Sequence, residues 1–210
     1  MAGKIHIVKQ GDYFAKIAKK YGFSNWRTIY NHADNAELKQ KRPDPNILYP
    51  GDKIVIPNKT TKEDSGGTGQ RHRFRFKSDD LWLRIVLKDN NNKPIANTPY
   101  QLNLERQTIE GQTDGDGLLE QQIAPDAAEG YLLIQHREFL LKIGHLDPID
   151  TITGVQARLK NLGYYGGEVD GVKGKQTLSA IEEFQCDHGL TVDGIAGPNT
   201  QSKLKEIHGC

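Results

Sequence analysis

The chain has 210 residues, 36 % of them hydrophobic, with 22 glycines, so it suits two or three small modules better than one deep core. It contains no run of about 18 apolar residues, so no membrane span is expected. Its net charge is +1, unevenly spread: residues 1–62 hold 12 Lys and Arg against 5 Asp and Glu, and the remainder holds 16 against 22.

The basic first third leaves two readings open, an anionic partner or ordinary solubility. No nucleic-acid motif accompanies the charge, so nucleic acid is not an expected partner. The start, Met1-Ala2-Gly3-Lys4-Ile5-His6, shows neither an apolar signal core nor a cleavage site. The two cysteines, Cys186 and Cys210, both fall in the last segment and have no metal-site spacing; free thiols are expected ahead of a disulfide.

Ile5, Ile7 and Val8 predict a short strand that Gly11-Asp12 breaks. Asp12 is the expected N-cap of a helix whose apolar face is Phe14, Ile17, Ala18 and Tyr21, and Gly22 is its left-handed end. A second short helix follows, with Asn25 as cap and Trp26, Ile29, Tyr30 and Ala33 inward. Residues 35–46 read as a polar connection. Tyr49-Pro50-Gly51-Asp52 then turns the chain into a closing strand, Lys53-Ile54-Val55-Ile56, which Pro57 ends.

Val8-Lys9-Gln10-Gly11-Asp12, Ile17-Ala18, Tyr21-Gly22, Ile29-Tyr30-Asn31 and Leu48-Tyr49-Pro50-Gly51-Asp52 resemble the LysM module in order and spacing. The resemblance implies binding of N-acetylglucosamine-containing glycan between two loops. Those loops map to Gly11, Asp12, Tyr13 and Phe14, and to Leu48, Tyr49 and Pro50. Tyr13 departs from the family's small threonine, and either a stacking face or a blocked groove would follow. A protein-docking use of the same fold is the alternative.

Residues 58–70 carry three glycines and no apolar side chain, as a flexible linker does. From 71 to about 147 the pattern is strand-like. Phe74 and Phe76 alternate with basic residues, and Leu81, Leu83, Ile85 and Leu87 alternate with Trp82, Arg84 and Val86. Tyr100, Leu102 and Leu104 alternate again, and Tyr131 to Ile134 is expected to be a more buried run. These strands predict a small β-sandwich. The Thr113-Asp114-Gly115-Asp116-Gly117 turn resembles a hairpin of transthyretin-like or carboxypeptidase-regulatory-like modules, and a turn rather than a calcium loop is expected there.

In the last segment Val155, Leu159 and Leu162 predict a helix that Gly163 ends. Thr177, Leu178, Ile181 and Phe184 give a second, and Pro198 opens a third with Thr200, Leu204 and Ile207 inward. Asp170-Gly171 and Asp193-Gly194 precede the last two helices, a sign of internal repetition. These motifs resemble the three-helix peptidoglycan-binding module of cell-wall hydrolases. The resemblance makes Tyr164, Asp170, Gly171, Gly174, Thr177, Asp193 and Gly194 the candidate contact residues, with Lys173 standing where an aromatic often lies.

The expected fold class is therefore multi-domain α+β: a βααβ LysM module over 1–58, a linker over 59–70, an all-β sandwich over 71–147 and a three-helix module over 148–210. No catalytic constellation is recognisable. The seven histidines form no His-Glu-x-x-His helix motif, His145 and Asp147 lack a third ligand, and no carboxylate pair stands in a catalytic setting. The expectation is a non-enzymatic binder of peptidoglycan through its two terminal modules, without metal or cofactor, made in the cytoplasm and acting at the cell wall or periplasm or after export by a non-classical route. The module order also resembles accessory proteins of type VI secretion and other contractile injection systems. An adaptor on a spike or effector is thus the first alternative, and a hydrolase with an unrecognised site the second.

Overall fold

The computed structural model describes residues 3–59, 68–71, 81–89 and 91–209. The expected strand through Phe74 and Phe76, most of the linker and the state of Cys210 lie outside them. The chain divides into two compact units, Met1–Asn46 with Pro50–Gly144, and Ile47–Tyr49 with His145–Cys210.

The first unit begins with two antiparallel strands, β1 (Lys4–Ile7) and β2 (Lys53–Ile56), with helices between them. Helix α1 (Phe14–Lys20) buries Phe14, Ile17 and Ala18, and Gly22 at φ 70° closes it, its N–H reaching Lys19 O. The expected cap is corrected. Asp12 Oδ2 instead accepts from Lys9 N and meets His6 Nε2, both at 2.9 Å, and Tyr13 holds the cap position without a side-chain bond. Asn25 is not the cap either: Trp26 holds that position at α2 (Arg27–Tyr30) without a side-chain bond, and Asn25 Oδ1 accepts from Arg27 N at 2.7 Å one residue ahead of it.

Two features of this region run against the sequence pattern. Ile5 and Ile7 face solvent while His6 is buried. The histidine can take the inward position because both ring nitrogens are partnered, one by Asp12 and the other by the Tyr21 hydroxyl at 3.1 Å. The polar connection also folds. A 3-10 turn (Ala33–Asn35) leads into α3 (Ala36–Lys41), so the module has three helices rather than two, and Ala33 is exposed. Only Leu38 of α3 is buried, too little to give an apolar period. Polar bonds hold this helix instead. Lys41 and Arg42 reach the buried Asp52 carboxylate at 3.1 and 2.8 Å, and the Asn35 amide bonds both N–H and C=O of Val55 at 2.8 Å.

The rest of the first unit is antiparallel β structure in two sheets. β3 (Leu81–Val86) pairs with β6 (Leu118–Ile123). The other sheet has the order β5-β4-β7-β8, from Gln107–Gln112, Pro99–Leu104, Glu129–Ile134 and Arg137–Lys142. Both sheets contribute to one core around Leu102, Leu119, Leu132 and Ile134. The Asp-Gly-Asp-Gly segment is a tight turn, with Asp114 Oδ1 accepting from Asp116 N and Leu118 N at 2.9 and 2.8 Å. It is not a hairpin, because its flanking strands β5 and β6 lie in different sheets; the turn carries the chain across the core. Tyr131 and Leu133 are exposed, so the expected buried run alternates strictly, with only Leu132 and Ile134 inward.

The second unit contains α4 (Ile152–Asn161), α5 (Lys175–Asp187) and α6 (Pro198–His208) around Val155, Leu159, Ile181, Phe184 and Leu204. Thr151 caps α4 through Gly154 N at 3.0 Å, and Gly163 at φ 88° ends it. Ile207, expected inward, is exposed on the last turn of α6. No helix among the described residues is long and apolar enough to cross a membrane.

Candidate functional site

The second unit holds two loops built on one plan. Gln156 on α4 has no exposed surface. Its Nε2 lies 2.8 Å from Asp170 Oδ1, 3.1 Å from Val172 O and 3.1 Å from Thr177 Oγ1, and its Oε1 accepts from Gly171 N at 2.9 Å. Gln185 on α5 repeats this at 2.8, 3.0 and 3.1 Å from Asp193 Oδ1, Ile195 O and Thr200 Oγ1, and accepts from Asp193 N and Gly194 N at 3.0 Å. In each loop the aspartate also takes the N–H two residues on, Val172 or Ile195, at 2.8 Å.

These bonds hold both carboxyls below the usual carboxylate range. The backbone N–H of Val172 or Ile195 is the larger cause and the glutamine amide the second. The Lys173 charge adds a smaller effect at Asp193. Asp170, Gly171 and Thr177 are brought together round Gln156, and Asp193 and Gly194 round Gln185, in both cases as the frame of a loop. Beside the exposed Asp170 and Asp193, aliphatic side chains also face outward, Val169 and Val172 in one loop and Val192 and Ile195 in the other, at matching positions. Val172 is 60 % exposed and Ile195 55 %, beside exposed Lys173. Gly174 and Gly197 have open space where a Cβ would sit.

Tyr164 is not part of this group. Its hydroxyl donates to Asp187 Oδ2 at 3.1 Å and its ring meets Phe184 edge-on at 5.4 Å. Burial, then the Asp187 bond, pushes its pKa up to about 12. Asp187 is ten residues beyond Thr177 on α5, about 15 Å along the axis, which separates Tyr164 from the first loop.

The LysM candidates behave differently. Tyr13 is 2 % exposed, and its hydroxyl donates to Ala127 O in the β region at 2.7 Å. Its ring packs on Gly144, where an added Cβ would lie 2.6 Å from Tyr13 Cδ1. Burial, with the Asp126 carboxylate nearby, raises the pKa of its hydroxyl. Lys19 pairs with Asp126 at 2.7 Å across the same contact. Phe14 is core, edge-on to Tyr30 at 5.0 Å, and Gly11 and Leu48 are buried. So Gly11, Tyr13, Phe14 and Leu48 present no side-chain surface to a sugar; apolar side chains here gain more from burial than from facing water. Asp12 is partly exposed with its carboxylate engaged, and Tyr49 and Pro50 are exposed.

No group of three His, Cys, Asp or Glu able to hold a metal occurs among the described residues. The residues that sequence reasoning missed are Gln156 and Gln185. Their signal was present, a glutamine on a predicted apolar helix face before each Asp-Gly pair.

Comparison with known proteins bears on both regions. Residues 149–204 match the family described as "Putative peptidoglycan binding domain", and residues 6–30 match the LysM domain. The chain carries both domains. The spore cortex-lytic enzyme of Oceanobacillus iheyensis is 44 % identical over 55 residues, 26 % of this chain and 20 % of that protein. The N-acetylmuramoyl-L-alanine amidase CwlM of Mycobacterium tuberculosis is 47 % identical over 55 residues, 26 % of this chain and 14 % of its own. The spore cortex-lytic enzyme of Halalkalibacterium halodurans is 39 % identical over 57 residues, 27 % and 17 % of the two chains. This chain thus spans a fifth or less of the length of these relatives, and the likeness falls on the binding domain. No solved structure matches the chain.

Proposed function

We propose that the chain is a non-catalytic peptidoglycan-binding protein of the cell wall or periplasm, which contacts the polymer through the two Asp-Gly loops of its C-terminal domain. One observation carries this reading. Each loop ties one aspartate oxygen and a backbone N–H to a buried glutamine and leaves two aliphatic side chains in water, at equivalent places in both loops. Such a surface suits the apolar faces of sugar rings and the methyl groups of stem peptides, while glycine backbone and Lys173 offer polar contacts. The relatives named as lytic enzymes support wall binding through the shared region alone.

The test is co-sedimentation of the whole chain with purified sacculi. The expected result is sedimentation above background that falls at least fivefold in a Val172→Ser, Ile195→Ser double variant. A parent chain that stays in the supernatant overturns the reading. Release of soluble muropeptides by the parent chain would replace it with the hydrolase alternative.

A second reading is favoured by the burial of Tyr13, Phe14 and Leu48. With those side chains turned in, the first 58 residues act as a docking module, and the chain is an adaptor of a secretion spike or effector. Co-purification of a spike protein with the parent chain, and its loss on deleting 1–58, tests this.

A further inference from the structure

The four-stranded sheet ends in an edge that wall binding does not use. Among the described residues β8 is the last strand on its side of that sheet. Residues 72–80, outside the described residues, lead into β3 of the other sheet. A two-residue turn, Gln135 and His136, both at positive φ, joins β7 to β8. Such a turn makes its flanking residues, Ile134 and Arg137, a hydrogen-bonded pair, and bonded pairs then alternate along the hairpin. The bond from Ile143 N to Ala128 O at 2.8 Å keeps that parity. Arg137, Phe139 and Leu141 therefore bond β7, while the N–H and C=O groups of Glu138, Leu140 and Lys142 point out from the edge. The side chains of those three residues share the outer face. Leu140 is 50 % exposed, directly opposite exposed Tyr131 and diagonal to exposed Leu133. Across β5 and β4 the same face is polar, with Thr108 and Glu110 beside Asn103 and Gln101. The apolar area is thus gathered at the β8 edge. Among the described residues neither Glu138 nor Lys142 closes an ion pair, although Glu129 stands opposite Lys142 on β7.

We propose that β8 pairs antiparallel with β8 of a second copy of this chain, about a two-fold axis at Leu140. In that register all three outward-pointing residues bond across the edge. Leu140 faces its own copy, and each Glu138 stands opposite a Lys142 of the other chain. The charges fit because Glu138 and Lys142 lie two places either side of Leu140, so the strand is complementary to itself when reversed. Sliding by one bonding step in either direction sets Leu140 opposite a charge and breaks both ion pairs. Charged residues on an edge ordinarily deter pairing with other strands. Here they deter any strand that lacks the reversed order of charge, and they admit a second copy. The pairing also joins the apolar surface of Tyr131, Leu133 and Leu140 across the axis, removing part of it from water. Two copies carry two wall-binding domains and so gain effective concentration on a polymer. That consequence rests on the proposed function; the pairing itself does not.

The experiment is sedimentation equilibrium of the full chain, 23.5 kDa, together with deuterium exchange at the β8 amides. At about 100 µM chain the mass is expected to double. The Glu138, Leu140 and Lys142 amides should exchange more slowly as concentration rises, while Phe139 and Leu141 stay protected throughout. Glu138→Lys alone and Lys142→Glu alone should each weaken self-association by roughly tenfold, because like charges then meet on both sides of the axis. Mixing the two variants should restore it, since the mixed pair regains both opposite-charge contacts. Leu140→Pro removes an edge N–H that β7 does not use, and should abolish the doubling with the fold retained. A chain that stays single at that concentration overturns the proposal. So does a dimer that survives all three variants. Edge amides protected equally at every concentration also overturn it, since a segment of the same chain, such as residues 72–80, then covers the edge. Sacculus sedimentation separates the two readings: a chain that sediments but stays single loses only this pairing, and a chain that pairs without sedimenting loses only the wall-binding role.

Discussion

The C-terminal loops and the LysM loops solve opposite problems with their motif residues. In the C-terminal domain the Asp-Gly residues spend their polar groups on Gln156 and Gln185, and aliphatic side chains are left outside. In the LysM region Tyr13, Phe14 and Leu48 go inside, Tyr13 as far as the β region, and only Tyr49 and Pro50 of the candidate residues with large side chains stay exposed. The difference teaches that a motif position fixes backbone shape first. Whether its side chain is available to a ligand depends on what packs against it.

The largest expected effect comes from breaking the LysM side of this contrast. Tyr13→Ala removes a buried ring and should destabilise the first unit by about 3–5 kcal/mol, read from chemical unfolding of the full chain. Next is the C-terminal frame. Gln185→Ala leaves the Asp193 carboxylate, the Thr200 hydroxyl and two loop N–H groups without their shared partner, and should cost the helical unit about 2–3 kcal/mol. Loss of helical circular dichroism with denaturant reads it, and sacculus binding should fall with it. Tyr13→Phe keeps the packing and loses only the bond to Ala127 O, about 1 kcal/mol by the same unfolding measurement.

Acid should act on the two loops in one direction. The carboxyls of Asp170 and Asp193 are held below their ordinary value of 3.8, so their folded forms favour the ionised state. Their contribution is intact above that value and is lost as pH falls through the lower folded pKa. The Val172 and Ile195 amide signals, which donate to those carboxylates, should move together only below about pH 4. The smallest effect on stability is expected from Val172→Ser with Ile195→Ser, within about 0.5 kcal/mol because both side chains are exposed. The loss of sacculus binding should then stand apart from any unfolding.

Much of the helical architecture was legible because apolar spacing, caps and left-handed glycines are local signals. Gly22 and Gly163 end helices α1 and α4 where their positions predict. Helix α3 was not legible, since it buries only Leu38 and is held through Asp52, eleven residues beyond Lys41 and ten beyond Arg42. The inward turn of His6 was hidden for a similar reason, as its partners Asp12 and Tyr21 stand 6 and 15 residues away. The candidate loops were found by their Asp-Gly repeats, but the outward role of Val172 and Ile195 was not. An aliphatic residue in a sequence reads as core until the surface around it is known.

The sequence by itself determined that this chain contains a LysM domain and a peptidoglycan-binding domain, because their turns and helix faces are written in consecutive residues. Only the tertiary structure decided which motif side chains remain free. That depends on partners distant along the chain, such as Ala127 for Tyr13, 114 residues away. Burial of apolar surface and satisfaction of polar groups are properties of the packed state, and no local pattern fixes them.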